Sequence, residues 1–176
     1  MFARHGFHET SMNDVAEAAG VTKPVLYQHF QSKRQLYLEL LDDVGTRLAE
    51  TIARATAAAG SPHQQVEAGF AAYFRFVHAD RSAYQLLFGG GSRRDPEFAD
   101  SVRRVEEHLA RSIAELIEAD IDPDHRRTLA YGLVGIAETT SRLWVAEDLD
   151  HDPDILAKQV ADLAWAGLRG IHRIEG

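Results

Sequence analysis

Residues 22–33 read Thr-Lys-Pro-Val-Leu-Tyr-Gln-His-Phe-Gln-Ser-Lys. Lys23, Tyr27, Gln28, His29 and Lys33 can all donate hydrogen bonds, and Thr22 adds a hydroxyl. Across residues 21–36 the bases Lys23, Lys33 and Arg34 meet no acid, although the whole chain carries a formal charge of −8. An acid-free, donor-rich strip on an acidic body suits nucleic acid, with its phosphate oxygens and its acceptor-rich base edges. Lysine can bond guanine O6 and N7, and glutamine can pair with adenine N6 and N7. The competing reading is that Tyr27 and His29 simply pack a small module.

Other groupings suit chemistry less well. The chain has no cysteine, which excludes disulfides, thiolate metal sites and cysteine nucleophiles. Asp148, Asp150, Asp152 and Asp154 alternate around His151, but the loop lacks the glycine and distal glutamate of a calcium-binding EF-hand, and Pro153 interrupts it. It reads as a solvated connection in which Asp152 caps a helix, and no metal is expected. His78, His108 and His125 are scattered without an HExxH pattern. Gly89, Gly90 and Gly91 lack the lysine and preceding strand of a phosphate loop. No nucleophile–base pair or cofactor fingerprint stands out, so neither an enzyme nor a cofactor is expected.

Donors that read DNA need a helix to aim them. Met12, Val15, Ala16 and Ala19 recur on one helical face. Thr10 or Ser11 can cap that helix, and Gly20 can end it. Thr22 offers a second cap, and Pro24 falls just inside the next helix, where its missing N–H costs little. Leu26 and Phe30 share the inner face there, which leaves Lys23, Val25, Tyr27, Gln28 and His29 outward. The connection Ala19-Gly20-Val21-Thr22 has the length of a helix-turn-helix turn, with Gly20 for the bend and Val21 to fill the space between helices. Ser32 should cap a long helix from 33 to about 59, striped by Leu36, Leu40, Leu41, Val44 and Leu48. Further helices are expected around 66–77, over 81–88, from 98 to about 120, from 123 to about 147 and from 153 to about 173. Residues 89–96 read as a flexible connector. No segment alternates as a strand does, so the fold class is all-α. An N-terminal helix-turn-helix domain (1–45) and a C-terminal helical bundle (46–176) share the long helix after Ser32.

Gly6-Phe7, Thr10-Ser11, Val15-Ala16, Ala19-Gly20-Val21, Leu26-Tyr27-Gln28-His29-Phe30, Ser32-Lys33 and Leu36 together resemble the tetracycline-repressor (TetR) family of transcriptional regulators. The resemblance covers roughly the first quarter of the chain and is far denser than a lone glycine motif. It implies a homodimer on a near-palindromic double-stranded DNA operator, and repression relieved by a small-molecule effector held in the C-terminal core. By position it implies phosphate contacts from Thr10 or Ser11, Thr22, Tyr27, His29 and Lys33, with Lys23, Pro24, Val25 and Gln28 facing the groove. Only residues 1–5 stand where the family has a full first helix. That reads as a truncated start, expected to leave Val15, Leu26 and Phe30 exposed.

In the C-terminal part, Phe70, Tyr73, Phe74 and Val77 form an apolar stripe that could wall an effector pocket. Glu138 and Ser141 would be its polar groups, with Trp144 nearby on the same helix; ordinary core is the competing reading. Gly132, Gly135, Gly167 and Gly170 interrupt the last two helices, each at about 1 kcal/mol relative to alanine, so close helix approach is the natural reason. The family pairs its final two helices across the dimer axis. These glycines, with Leu163 and Ile171, are therefore expected at a dimer interface, with intrachain packing as the alternative. No apolar run is long enough to span a membrane and no signal peptide is evident, so a cytoplasmic protein without a membrane partner is expected. The rival function is a helical ligand-binding or scaffold protein whose reading head has degenerated.

Overall fold

The computed structural model describes residues 1–89, 92 and 95–171. Gly90, Gly91, Arg93 and Arg94 of the expected connector lie outside these, as does the expected end of the last helix near Arg173. The described residues form helices only: α1 (Phe2–Glu9), α2 (Met12–Ala18), α3 (Lys23–His29), α4 (Lys33–Ala57), α5 (Pro62–Ala79), α6 (Arg81–Phe88), α7 (Pro96–Leu116), α8 (Pro123–Ala146) and α9 (Pro153–Leu168). The all-α fold class holds. The chain forms two compact units, one of Met1–Thr46 with Ser82–Arg103, the other of Arg47–Arg81 with the chain from Arg104 on. Helices α4 and α7 run through both units, and α6 begins with one residue, Arg81, of the second.

The first unit is centred on a cluster of aromatic rings. Phe2, Tyr37 and Phe98 are buried. Phe7 meets Tyr37 at 5.2 Å and Phe98 at 4.8 Å between ring centres, while Tyr37 and Phe98 lie 4.5 Å apart. These edge-on and tilted rings join α1, the start of α4 and the start of α7, which is why Ser82–Arg103 groups with the N-terminal helices. The Tyr37 hydroxyl lies 3.0 Å from Ser92 Oγ, and Ser92 in turn donates to the Leu86 carbonyl. Within α1, Gly6 adopts φ +77°, a left-handed conformation that breaks the helix into two short pieces and turns Phe7 onto Tyr37. Leu26 is buried despite the short first helix, and Val15 and Phe30 are half-buried, so the exposure expected of all three does not occur.

In the second unit α5 packs along α9 and also against α8. Arg75 near the end of α5 pairs with Asp154 at the start of α9, and His63 at the start of α5 meets Trp165 near the end of α9, so the two helices are antiparallel. Trp144 on α8 lies against Phe74 of α5, and its Nε1 donates to the Leu149 carbonyl at 3.0 Å, closing the loop that follows α8. Asp152 caps α9 as expected, accepting from the N–H groups of Asp154 and Ile155.

Phe98 is 1% exposed. Phe98→Ala removes the ring that α1 and α4 share, and urea unfolding should show a loss of about 3–5 kcal/mol.

Candidate nucleic-acid interface

α2 begins with reciprocal hydrogen bonds. Ser11 Oγ accepts from Asp14 N at 3.2 Å, and Asp14 Oδ2 accepts from Ser11 N at 2.7 Å, a capping box. The Ser11 N–H and then its hydroxyl hold the Asp14 carboxyl below its usual value near 3.8. The turn after α2 closes through backbone bonds. The Gly20 N–H donates to Glu17 O at 3.1 Å with φ +67°, and the Val21 N–H donates to Ala16 O at 3.0 Å. Val21 itself is 39% exposed and does not fill the space between the helices. The left-handed glycine and these carbonyl contacts bend the chain without it.

α3 is seven residues long, and of these only Leu26 is buried, at 7% exposure. Lys23, Pro24, Val25, Tyr27, Gln28 and His29 are exposed, with Tyr27 at 44%. Lys23 and Tyr27, one turn apart, lie together, with the ammonium 5.9 Å from the ring centre. Thr22 is the N-cap by backbone position but makes no side-chain cap bond. The sequence-predicted donors of α3 are thus each exposed, with Lys23 and Tyr27 side by side.

Three other members of the predicted set are placed differently from one another. Ser11 is exposed, whereas Thr10 is 1% exposed and its hydroxyl donates to Gly6 O at 2.8 Å. Lys33 is half-buried. Its Nζ donates to Phe7 O at 2.7 Å and His8 O at 3.3 Å and sits 4.4 Å from the Phe7 ring centre, a cation at the C-terminal end of α1. Sequence reasoning missed Arg34. Its guanidinium donates to both Asp95 oxygens (3.2 and 2.8 Å) and to Glu97 (2.5 Å), and lies over the Phe98 ring. Arg34 holds the Asp95 carboxyl below its usual 3.8. Nothing in the spacing announces a pair 61 residues apart.

In the second unit Phe70, Tyr73, Phe74, Val77, Glu138, Ser141 and Trp144 are all buried. The structure brings Tyr73, Phe70 and Trp144 against Phe74, at 5.4, 6.5 and 6.1 Å between ring centres. Ser141 Oγ donates to Ala137 O, and Glu138 accepts from Arg142 at 2.7 Å. A side chain added at Gly132, Gly135 or Gly167 would meet no atom within 4 Å, and one at Gly170 would make only ordinary contact with Gly167 O. Close approach within the chain therefore does not explain these glycines. Leu143, Ile155 and Leu163 on α8 and α9 are more than half exposed, Leu163 at 66%, and Ile171 is half-buried. No helix among the described residues is long and apolar enough to cross a membrane.

A family model described as bacterial regulatory proteins, tetR family, matches residues 1–40, and the tetracyclin repressor-like C-terminal domain matches residues 62–167. The chain belongs to the TetR family. As a TetR-family protein it is a DNA-binding transcriptional regulator. It is 32% identical over 170 residues to the HTH-type transcriptional activator FasR of Mycolicibacterium smegmatis, covering 96% of this chain and 78% of FasR. A TetR-like regulator from Rhodococcus sp. RHA1 has the same fold, with a TM-score of 0.78 at 30% identity over 97% of this chain and 90% of that one. The regulator FadR of Bacillus subtilis, solved with stearoyl-CoA, superposes with a TM-score of 0.80 at 16% identity over 97% and 94%.

Two substitutions test the local chemistry. Ser11→Ala removes the capping box and should cost about 1 kcal/mol of stability in chemical unfolding. Asp95 has a depressed folded-state pKa, so its pairing stabilises at higher pH and is lost as the pH falls below about 3.8 through the folded value. Asp95→Asn should flatten the acid limb of melting temperature against pH in that range.

Proposed function

We propose that the protein is a homodimeric regulator that reads a near-palindromic operator through α3 and is controlled by a small-molecule effector. The observation that carries this reading is the surface of α3, which buries Leu26 alone and leaves Lys23, Tyr27, Gln28 and His29 exposed. Lys23, Pro24, Val25 and Gln28 face base edges in the major groove, while Ser11, Thr22, Tyr27, His29 and Lys33 bind phosphates. Thr10 supports them from beneath through its bond to Gly6. An ammonium has three hydrogens, so Lys33 can hold both α1 carbonyls and still offer one donor to DNA.

A dimer places the two α3 helices about 34–36 Å apart, one DNA turn. Its interface is built from α8 and α9, where Gly132, Gly135 and Gly167 leave open space and Leu143, Ile155 and Leu163 are exposed. Gly170 and Ile171 extend that face. The effector enters among Phe70, Tyr73, Phe74, Val77 and Trp144, with Glu138 and Ser141 as its polar contacts. The aromatic lining and the stearoyl-CoA complex of the Bacillus subtilis FadR support an effector with a long acyl chain. It must bind two conformations unequally to shift their populations. α4, with residues in both units, is the lever. We read the sign as repression relieved by effector; FasR bears the name of an activator, and a promoter–reporter fusion in a deletion strain distinguishes the two.

The test is DNA binding to the region flanking the protein's own gene, followed by fluorescence anisotropy. The Lys23→Ala, Tyr27→Ala double variant should weaken binding by about 1–3 kcal/mol per residue, with helicity and dimer mass unchanged. Binding equal to wild type would remove the assignment of α3. Leu163→Arg should give a monomer by light scattering, and a retained dimer would move the interface elsewhere.

A further inference from the structure

We infer that the seam between α5 and α9 binds a divalent first-row transition-metal ion, zinc above all, through His63, Glu67 and Asp162. His63 and Glu67 are one turn apart on α5, with Nε2 and Oε1 3.9 Å apart. Asp162 reaches them from α9, and the three ligand atoms lie within 4.8 Å of one another. Ligand atoms about 2.0–2.2 Å from a tetrahedral zinc lie about 3.3–3.6 Å apart. His63 and Glu67 are already within a few tenths of an ångström of that, and the widest gap must close by roughly 1 Å, which side-chain rotation at the half-exposed surface they share can supply.

Three features make this more than neighbouring surface charge. The ligands come from two antiparallel helices packed along each other in one unit, so the backbone fixes their spacing. The Trp165 ring lies 5.0 Å from the imidazole at 53°, which restricts how the histidine can turn. One imidazole nitrogen with two carboxylates matches zinc, cobalt, nickel or manganese, whereas calcium and magnesium prefer oxygen alone. The two carboxylates balance a dication when the imidazole is neutral. Lys158, 3.4 Å from Asp162, is the competing cation, in an exposed pair that an ion can displace. Three protein ligands leave coordination positions for water or an anion, and occupancy clamps the start of α5 to the last turns of α9. This site is independent of how α3 reads DNA.

The experiment is titration of the full chain with Zn²⁺ in calorimetry, paired with Co²⁺ titration read by tryptophan fluorescence, since a paramagnetic ion beside Trp165 quenches it. We expect one saturable equivalent per chain. His63→Ala and Asp162→Asn should each weaken it at least about tenfold, Glu67→Gln likewise, while the metal-free melting temperature stays at the wild-type value. Lys158→Ala should tighten binding by removing the competitor. No saturable Zn²⁺ binding at millimolar concentration overturns the proposal. So does undiminished affinity in both His63→Ala and Glu67→Gln, which would place the ion on other histidines.

Discussion

Everything the first unit does depends on one constraint: a helix of two turns must be held in place by a single buried leucine. An isolated helix as short as α3 is unstable in water, because nucleation fixes several residues for very few hydrogen bonds. Leu26 supplies the anchoring contact, and the rest of α3 is exposed. The neighbouring parts serve the same end. The capping box starts α2, Gly20 bends the chain after it, and the backbone bond from Phe30 N to Leu26 O ends α3. A larger buried face would make α3 sturdier and leave fewer side chains for a groove.

Charge is distributed to the same effect. The chain is acidic as a whole, yet residues 21–36 contain no acid. Of the three bases there, Arg34 turns to Asp95 and Glu97 and ties the start of α4 to the start of α7. Lys33 lies across the end of α1, and Lys23 stays exposed beside Tyr27. The positive field around α3 is therefore smaller than the sequence count suggests. A modest local field on a repelling body lowers non-specific attraction to DNA and leaves more of the selectivity to base contacts.

Most helix starts were legible because they rest on local chemistry. Ser11 and Asp152 accept from backbone N–H groups a few residues ahead, and Pro24, Pro123 and Pro153 sit where a missing N–H does no harm. The start of α5 was not: a helix was expected only from about 66, yet Ser61 caps it and Pro62 opens it. Helix ends were less so. α7 stops at Leu116 rather than near 120, where the Ile117 N–H already reaches back only to Ala114, and α9 gives way at Leu168, just after Gly167. The outward set on α3 followed from periodicity. The destinations of Lys33, Arg34 and Thr10 did not, because each is decided by a partner that only the fold brings near: the Phe7 carbonyl, Asp95, and a Gly6 whose left-handed backbone no pattern displays. The same holds for Asp162, which reaches His63 only because α9 runs antiparallel to α5.

The account stands or falls on which surface meets DNA. Backbone amide resonances of the protein, followed while a duplex selected from random sequence is added, test this residue by residue. The predicted result is that shifts concentrate at 11–14 and 22–33, strongest at Lys23, Tyr27 and Gln28, and diminish as salt is raised. Shifts confined to residues of the second unit, or none on α3 at saturation, would contradict it.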